Sequence, residues 1–240
     1  MSNSGEQTRV AVLIPAAGQG KRMGGRRKQF RRLGGKPLLV QTALVFERHP
    51  AVDYILVAAP AEAVGPLMEE LSAWGVGKLA AVTPGGKTRQ ASVAAALRAA
   101  PDEVGVVLVH DAVRPFVRRA EITRVIARVR EEGAAAPAIP VADTLRRGND
   151  HTFGETVPRE GLYRMQTPQG FRRDWFEAAH TFARRRRIEA TDDVDLVQRL
   201  GHAVAIVPGS EQNLKITTTR DWAWAQSFWP HWEATNYGRV

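Results

Sequence analysis

Residues 10–30 read VAVLIPAAGQGKRMGGRRKQF. Residues 10–14 are apolar and largely β-branched, which predicts a buried strand, and Pro15 ends it. Residues 16–20, AAGQG, then present almost bare backbone. Lys21, Arg22, Arg26, Arg27 and Lys28 follow within eight residues. Small residues let backbone N–H groups approach an anion closely, and basic side chains add countercharge. The stretch therefore predicts a loop for a nucleoside triphosphate. It matches neither of two standard phosphate motifs. Gly20 and Gly25 have the Walker A spacing, but Arg26-Arg27 stand where Lys-Ser/Thr is needed. Gly18 and Gly20 begin a dinucleotide fingerprint, but Met23 occupies its last glycine. The alternative is an ordinary strand-to-helix turn.

Outward from this stretch, short apolar runs recur at residues 54–59, 79–82, 104–109, 134–141 and 203–207. They are apolar at successive positions, as strands covered on both faces are. Helix-like stretches lie between them at 37–48, 61–74, 88–100 and 119–132, with two more at 174–187 and 192–200. Alternating strand and helix predicts a three-layer α/β sandwich around a mostly parallel sheet. The alternation breaks at residues 142–161, where two short pieces, 144–147 and 151–157, flank Gly148-Asn149-Asp150. That is a hairpin signature. A lone hairpin is marginal in water, so a protruding β-arm predicts a partner subunit and hence a homodimer. The alternative is a loop folded onto its own domain. In the tail, Trp222, Trp224, Phe228 and Trp229 predict a helix packed on the core. Residues 1–240 read as one domain with an inserted arm.

The 240-residue chain is long enough for a sizeable core, and 44% of it is apolar. It has no cysteine, which excludes disulfides, thiolate metal sites and a cysteine nucleophile. No apolar run is long enough to span a membrane, and residues 1–9 have no signal-peptide core, so a cytoplasmic protein is expected. The net charge of +9 favours polyanionic partners, either nucleic acid or phosphorylated small molecules. The run Arg184-Arg185-Arg186-Arg187 has no interleaved aromatics for base stacking, so it reads as a solvated helix end.

Two further stretches carry chemistry. Gly85-Gly86-Lys87-Thr88 closes the 79–82 strand, Thr88 suits a helix N-cap, and Arg89 and Ser92 share the next helical face. Val109-His110-Asp111-Ala112-Val113-Arg114-Pro115 follows the most apolar run. A carboxylate there is costly unless a cation uses it. Asp111 is thus a candidate for the Mg²⁺ or ribose side of a nucleotide site, or half of an Asp111–Arg114 ion pair that shapes the loop. Asp143-Thr144, Arg159, Thr167-Pro168-Gln169, Thr191-Asp192 and the segment from Asn213 to Thr217 are each weak alone.

In order, AAGQGKRM, KQF, GGKTRQASV, VHDAVRP, DTL, TVPREGL, QTPQ, ATDD and NLKIT resemble the 2-C-methyl-D-erythritol 4-phosphate cytidylyltransferase family over residues 10–228. The resemblance implies a homodimer of Rossmann-like nucleotidyltransferase subunits, each lending an arm to its neighbour's site. It implies Mg²⁺, and transfer of CMP from CTP to methylerythritol phosphate in isoprenoid precursor synthesis. By position, Ala16, Ala17, Gly18 and Gly20 would hold the triphosphate and base. Arg22 and Lys28 would be the catalytic cations. Gly85, Gly86, Arg89 and Ser92 would contact the cytidine, and Asp111 would lie near ribose and metal. Arg114, Thr191 and Lys215 would surround methylerythritol phosphate, and Thr144 and Arg159 would reach it from the neighbour's arm. Three positions depart from the family pattern. Arg27 stands before Lys28, Lys87 replaces an acid after the double glycine, and Pro158 precedes Arg159. A ribitol-5-phosphate cytidylyltransferase shares most of these motifs. A basic nucleic-acid-binding protein is the competitor from another class.

Overall fold

A computed structural model of the chain describes residues 8–18 and 27–237. In chain order they form β1 (Arg9–Pro15), a 3-10 turn (Lys28–Phe30), the small hairpin β2 (Arg32–Leu33) and β3 (Lys36–Pro37), and α1 (Leu38–Glu47). There follow β4 (Tyr54–Ala59), α2 (Val64–Ala73), β5 (Leu79–Pro84), α3 (Arg89–Arg98), β6 (Val104–Val109), α4 (Arg119–Glu132) and β7 (Ala134–Pro140). Last come β8 (Leu145–Gly148), β9 (Phe153–Val157), β10 (Tyr163–Met165), β11 (Gln169–Arg172), α5 (Arg173–Arg186), α6 (Asp193–Gln198), β12 (Ala205–Pro208) and α7 (Thr219–Tyr237).

The main sheet runs β5-β4-β1-β6 with every pair parallel. Beyond β6, β11 pairs antiparallel with both β6 and β7, β10 pairs antiparallel with the far half of β7, and β12 closes parallel to β7. Strand β1 shows why its sequence is apolar at successive positions. Val10, Val12 and Ile14 pack into the layer of α1, α2 and α4, while Ala11 and Leu13 face α3, α5 and α6. All five are fully buried.

The expected three-layer α/β sandwich is therefore present, with four boundary corrections. Pro37 belongs to β3 and caps α1, so the helix starts one residue later than the sequence suggests. The 61–74 stretch divides into a 3-10 turn (Ala61–Ala63) and α2. The arm hairpin β8–β9 forms, but its turn is Asn149 to Thr152, where the Asn149 side chain accepts from the N–H groups of His151 and Thr152. The antiparallel insertions β10 and β11 are unforeseen. The arm is solvent-exposed in the single chain, with Phe153 88% exposed.

Helix α7 forms a third apolar cluster. Trp222, Trp229 and Trp232 are buried around Phe116, whose ring meets that of Trp232 edge-on at 5.4 Å. Gly34, at φ +56°, lets Trp229 in; a Cβ there would lie 2.0 Å from its indole nitrogen. The tail thus buttresses the segment just after the Asp111 loop.

Candidate active site

From β1 the chain builds outward to β4 and β5, with α1 and α2 on one face. It then returns through α3 on the other face to β6, on the opposite side of β1. Loops leaving β1 and β6 diverge at such a switch point and open a crevice at the carboxyl ends of the strands. A cavity of about 450 Å³ lies there, lined by Ala16, Ala17, Gly18, Lys28, Gly86, Lys87, Arg89, Ser92, Asp111 and Lys215 among others. A larger groove of about 770 Å³ lies between α3 and α5, away from most of the motif residues. The chemistry converges on the smaller one.

Two close approaches shape its floor. Ala16 N–H donates to Ala58 O at 2.7 Å, and Gly85 N–H donates to Ala59 O at 2.7 Å, so both loops hang from β4. A Cβ on Gly85 would stand 2.4 Å from the Ala17 methyl and 2.9 Å from Ser92 Oγ, which only glycine avoids. Thr88 Oγ1 caps α3 by accepting from Ala91 N–H at 3.0 Å. Ser92 Oγ donates to Thr88 O at 2.9 Å and accepts from Gly86 N–H at 3.1 Å, so Ser92 fixes the loop it faces.

Asp111 centres the charge. Its Oδ2 lies 2.9 Å from Lys215 Nζ and 3.2 Å from Arg114 Nε, and its Oδ1 lies 3.3 Å from Arg89 Nε. Burial alone would raise its pKa, but Lys215, Arg89 and Arg114 outweigh burial and hold the carboxyl well below the usual range. Arg89 also reaches Asp193 Oδ2 at 2.5 Å, and the two carboxylates overcome the opposing effect of burial to raise its pKa. The Asp111–Arg114 pair foreseen as a loop-shaping alternative thus exists, within a larger cluster. Arg89, Arg114 and Lys215 against Asp111 and Asp193 leave one net positive charge.

Behind this cluster, buried polar groups set the geometry. His110 Nε2 faces Arg114 O at 3.0 Å; a carbonyl only accepts, so Nε2 carries the hydrogen. His110 Nδ1 then accepts from Thr167 Oγ1 at 3.0 Å, and Thr167 Oγ1 accepts from Asp111 N–H at 3.2 Å. Asn213 Nδ2 donates to Thr167 O at 2.8 Å, and Arg114 Nη1 donates to Asn213 O at 2.6 Å. Gln169 Nε2 donates to Asp192 Oδ2 at 2.9 Å and its Oε1 accepts from Asp193 N–H at 3.1 Å.

Burial pushes the His110 pKa down to about 4 from an ordinary value of 6.5. Between those values the unfolded chain takes up a proton that the folded chain refuses. Stability is therefore complete above about pH 6.5 and is lost as pH falls towards 4. At about 1.4 kcal/mol per unit, the loss from this group is about 3 kcal/mol. Burial pushes His49 and His180 down to about 4 as well. Urea unfolding at pH 7 and pH 5 is therefore expected to show a decline that His110→Gln lessens without abolishing.

The sequence-derived site residues fall into four sets. Ala16, Ala17, Gly18, Lys28, Gly86, Arg89, Ser92, Asp111 and Lys215 meet at one cavity, with Gly85 directly beneath Ala17. Arg114 is 8% exposed and acts on the cavity through Asp111. Thr144, Arg159 and Thr191 are exposed and do not line it. Gly20 and Arg22 lie outside the described residues. Gln29 and Asp193 stand inside the KQF and ATDD motifs, but the sequence assigned neither an individual role, because their partners lie far along the chain. Of the departures, Lys87 lines the cavity and Arg27 Nη1 pairs with Glu62 Oε1 at 2.9 Å.

The family model of IspD, 2-C-methyl-D-erythritol 4-phosphate cytidylyltransferase, matches residues 10–230. The chain belongs to this family. It is 60% identical over 223 residues to the enzyme of that name from Salinibacter ruber, covering 93% of this chain and 94% of that one. The crystal structure of the Thermus thermophilus enzyme superposes with a TM-score of 0.79 at 41% identity, covering 92% of this chain and 98% of that one. That of 4-diphosphocytidyl-2C-methyl-D-erythritol synthase from Anaerococcus prevotii gives 0.81 at 26%, covering 93% and 99%. The fold, with its mostly parallel sheet, is that of these IspD structures, and the chain is a nucleotidyltransferase. No described helix is long and apolar enough to cross a membrane.

A magnesium ion caged by protein does not fit the described residues. No group of three His, Asp or Glu side chains gathers among them, and both Asp111 oxygens already face cations. An ion held mainly by nucleotide phosphates fits better; Asp111 would join it as a protein ligand by giving up one of these cation contacts.

Proposed function

We propose that this cavity binds CTP and transfers CMP to the phosphate of 2-C-methyl-D-erythritol 4-phosphate, releasing pyrophosphate. The observation that carries the proposal is the meeting of the bare 16–18 backbone, Lys28 and the Asp111-centred cations at one cleft. A phosphomonoester oxygen of the acceptor attacks the α-phosphorus of CTP. The new P–O bond forms as the bond to the β-phosphate oxygen breaks, and pyrophosphate leaves with that electron pair. A phosphate dianion is already deprotonated near neutral pH, so no general base and no covalent nucleophile are needed. The work is positioning and countercharge.

Backbone from residues 16–18 and 85–86 cradles the nucleotide, and Ser92 keeps the second loop in place. Lys28 meets charge gathering on the α-phosphate, with Arg22 as its expected companion. Lys215 draws in the acceptor's phosphate and Arg114 acts on it through Asp111. Thr191, outside the cavity, is expected near the acceptor from the family pattern alone. Asp111 would be the protein contact of a magnesium ion carried in by CTP, which would supply countercharge to the phosphates. Charged substrates and a cysteine-free chain suit a cytoplasmic enzyme with no nucleic-acid or membrane partner.

A homodimer is part of the proposal, because the exposed arm leaves Thr144 and Arg159 outside their own cavity. In a mixed dimer of Arg159→Ala and Lys28→Ala subunits, one site would regain both residues. Restored activity on mixing is expected; mixtures that stay inactive while heterodimers form would remove the shared site. Product identity is checked by ³¹P NMR, in which CTP and methylerythritol phosphate are to yield a diphosphate diester and pyrophosphate. Ribitol 5-phosphate is the second acceptor, since the nucleotide half does not separate the two.

A further inference from the structure

Residue 29 joins two parts of the site that the chain separates by nine residues. On one side is the bare backbone of residues 16–18, and on the other is Lys28. Gln29 is 3% exposed, within the 3-10 turn (Lys28–Phe30). Its Nε2 carries two hydrogens, and both are engaged. One goes to Ala16 O at 2.7 Å and the other to Gly18 O at 3.0 Å.

The consequences for the loop are geometric. With Ala16 N–H bonded to Ala58 O and the carbonyls of Ala16 and Gly18 bonded to Gln29, the peptide planes of the loop are fixed. The turn holding Gln29 is itself anchored, since Phe30 N–H donates to Arg27 O, Arg31 N–H to Lys28 O, and Leu38 N–H to Arg31 O. Phe30 packs against the core cluster of α1 and β1. One buried amide therefore ties residues 16–18 to the Lys28–Phe30 turn and sets the register between the 16–18 backbone and Lys28.

We propose that Gln29 is a positioning residue for the nucleotide: it holds the 16–18 loop in its binding shape and Lys28 at a fixed offset from it. This rests on the assignment of the cavity to CTP. Gln29 touches no reacting atom; it acts through the two carbonyls and its covalent neighbour. A side chain that cannot donate leaves those carbonyls without their partner and the loop free to turn its peptides. A carboxylate is worse, because it sets negative oxygen against two carbonyl oxygens. Protonation would restore one donor.

The test uses the full-length enzyme with Gln29→Leu and Gln29→Glu, reading kcat and the KM for CTP from pH 6 to 8, alongside thermal unfolding. Gln29→Leu is expected to raise the KM for CTP by roughly 10- to 100-fold, with a smaller change in the KM for the acceptor. Gln29→Glu is expected to share that defect at pH 8 and to recover relative to wild type as pH falls to 6. A merely structural glutamine would lower the melting temperature and leave both the CTP-specific KM and the pH ratio unchanged, which would overturn the proposal. Wild-type kinetics in both variants would overturn it too. Failure of the cavity assignment is a separate result, seen when the wild-type enzyme itself releases no pyrophosphate from CTP.

Discussion

Lys28→Ala is expected to lower turnover by about two to three orders of magnitude while the affinity for CTP changes far less. The α-phosphate gains charge on its way to the transition state, so a cation aimed at it is worth more there than in the ground state. Lys28 lines the cleft from a turn braced by Gln29 and Phe30, so its position is set before the nucleotide arrives. Preorganised donors of this kind typically contribute factors of about 10² to 10³. Binding of CTP, in contrast, is shared among the backbone of residues 16–18 and 85–86 and Arg89. Equilibrium titration of CTP and steady-state turnover on the same variant check this. Equal losses in both would assign Lys28 to binding and not to the chemical step.

Asp111→Asn is expected to cost about 3 kcal/mol of stability, and to lower the melting temperature by roughly 6 to 12 °C. The carboxylate is 7% exposed and is shared by Arg89, Arg114 and Lys215. Asparagine keeps the shape and leaves three like charges without their common partner. Removing one partner of a buried ion cluster costs more than the cluster contributed, because the remaining charges stay desolvated. Two features soften the loss: Arg89 retains Asp193, and Lys215, with 40% of its side chain exposed, can turn to water. Because the folded-state pKa of Asp111 is depressed, its contribution is present above the normal carboxylate pKa and fades as pH falls below it. The gap between variant and wild type should therefore narrow in acid. A guanidinium denaturation series at pH 7 and at pH 3.5 measures it.

The two predictions also mark what the sequence could and could not reveal. Strands such as residues 10–14 and 104–109 were legible because both of their faces are covered, so every position is apolar. Thr88 announced its helix because an N-cap needs a side-chain acceptor next to the helical run. Strand β11 gave no such signal: it is four residues long, holds Gln, Gly and Arg around one Phe, and its burial comes from flanking β6 and β7. The site divides the same way. Glycines at 18, 85 and 86 and the cations at 28 and 89 could be named because their residue types suit a polyanion, and Lys215 only through the family resemblance. The partners that orient them could not. Asp193 meets Arg89 across 104 residues of chain, and Gln29 meets Ala16 across 13, and neither separation leaves a local pattern. The arm was legible as a hairpin from its turn residues.

The central claim is that this cleft moves CMP from CTP to methylerythritol phosphate. It is tested most directly by initial rates of pyrophosphate release, with CTP, ATP, GTP and UTP each paired with methylerythritol phosphate and with ribitol 5-phosphate. The account predicts that CTP with methylerythritol phosphate has the highest kcat/KM, and that release requires the acceptor. A preference for ribitol 5-phosphate, or no acceptor-dependent release from CTP, would contradict it.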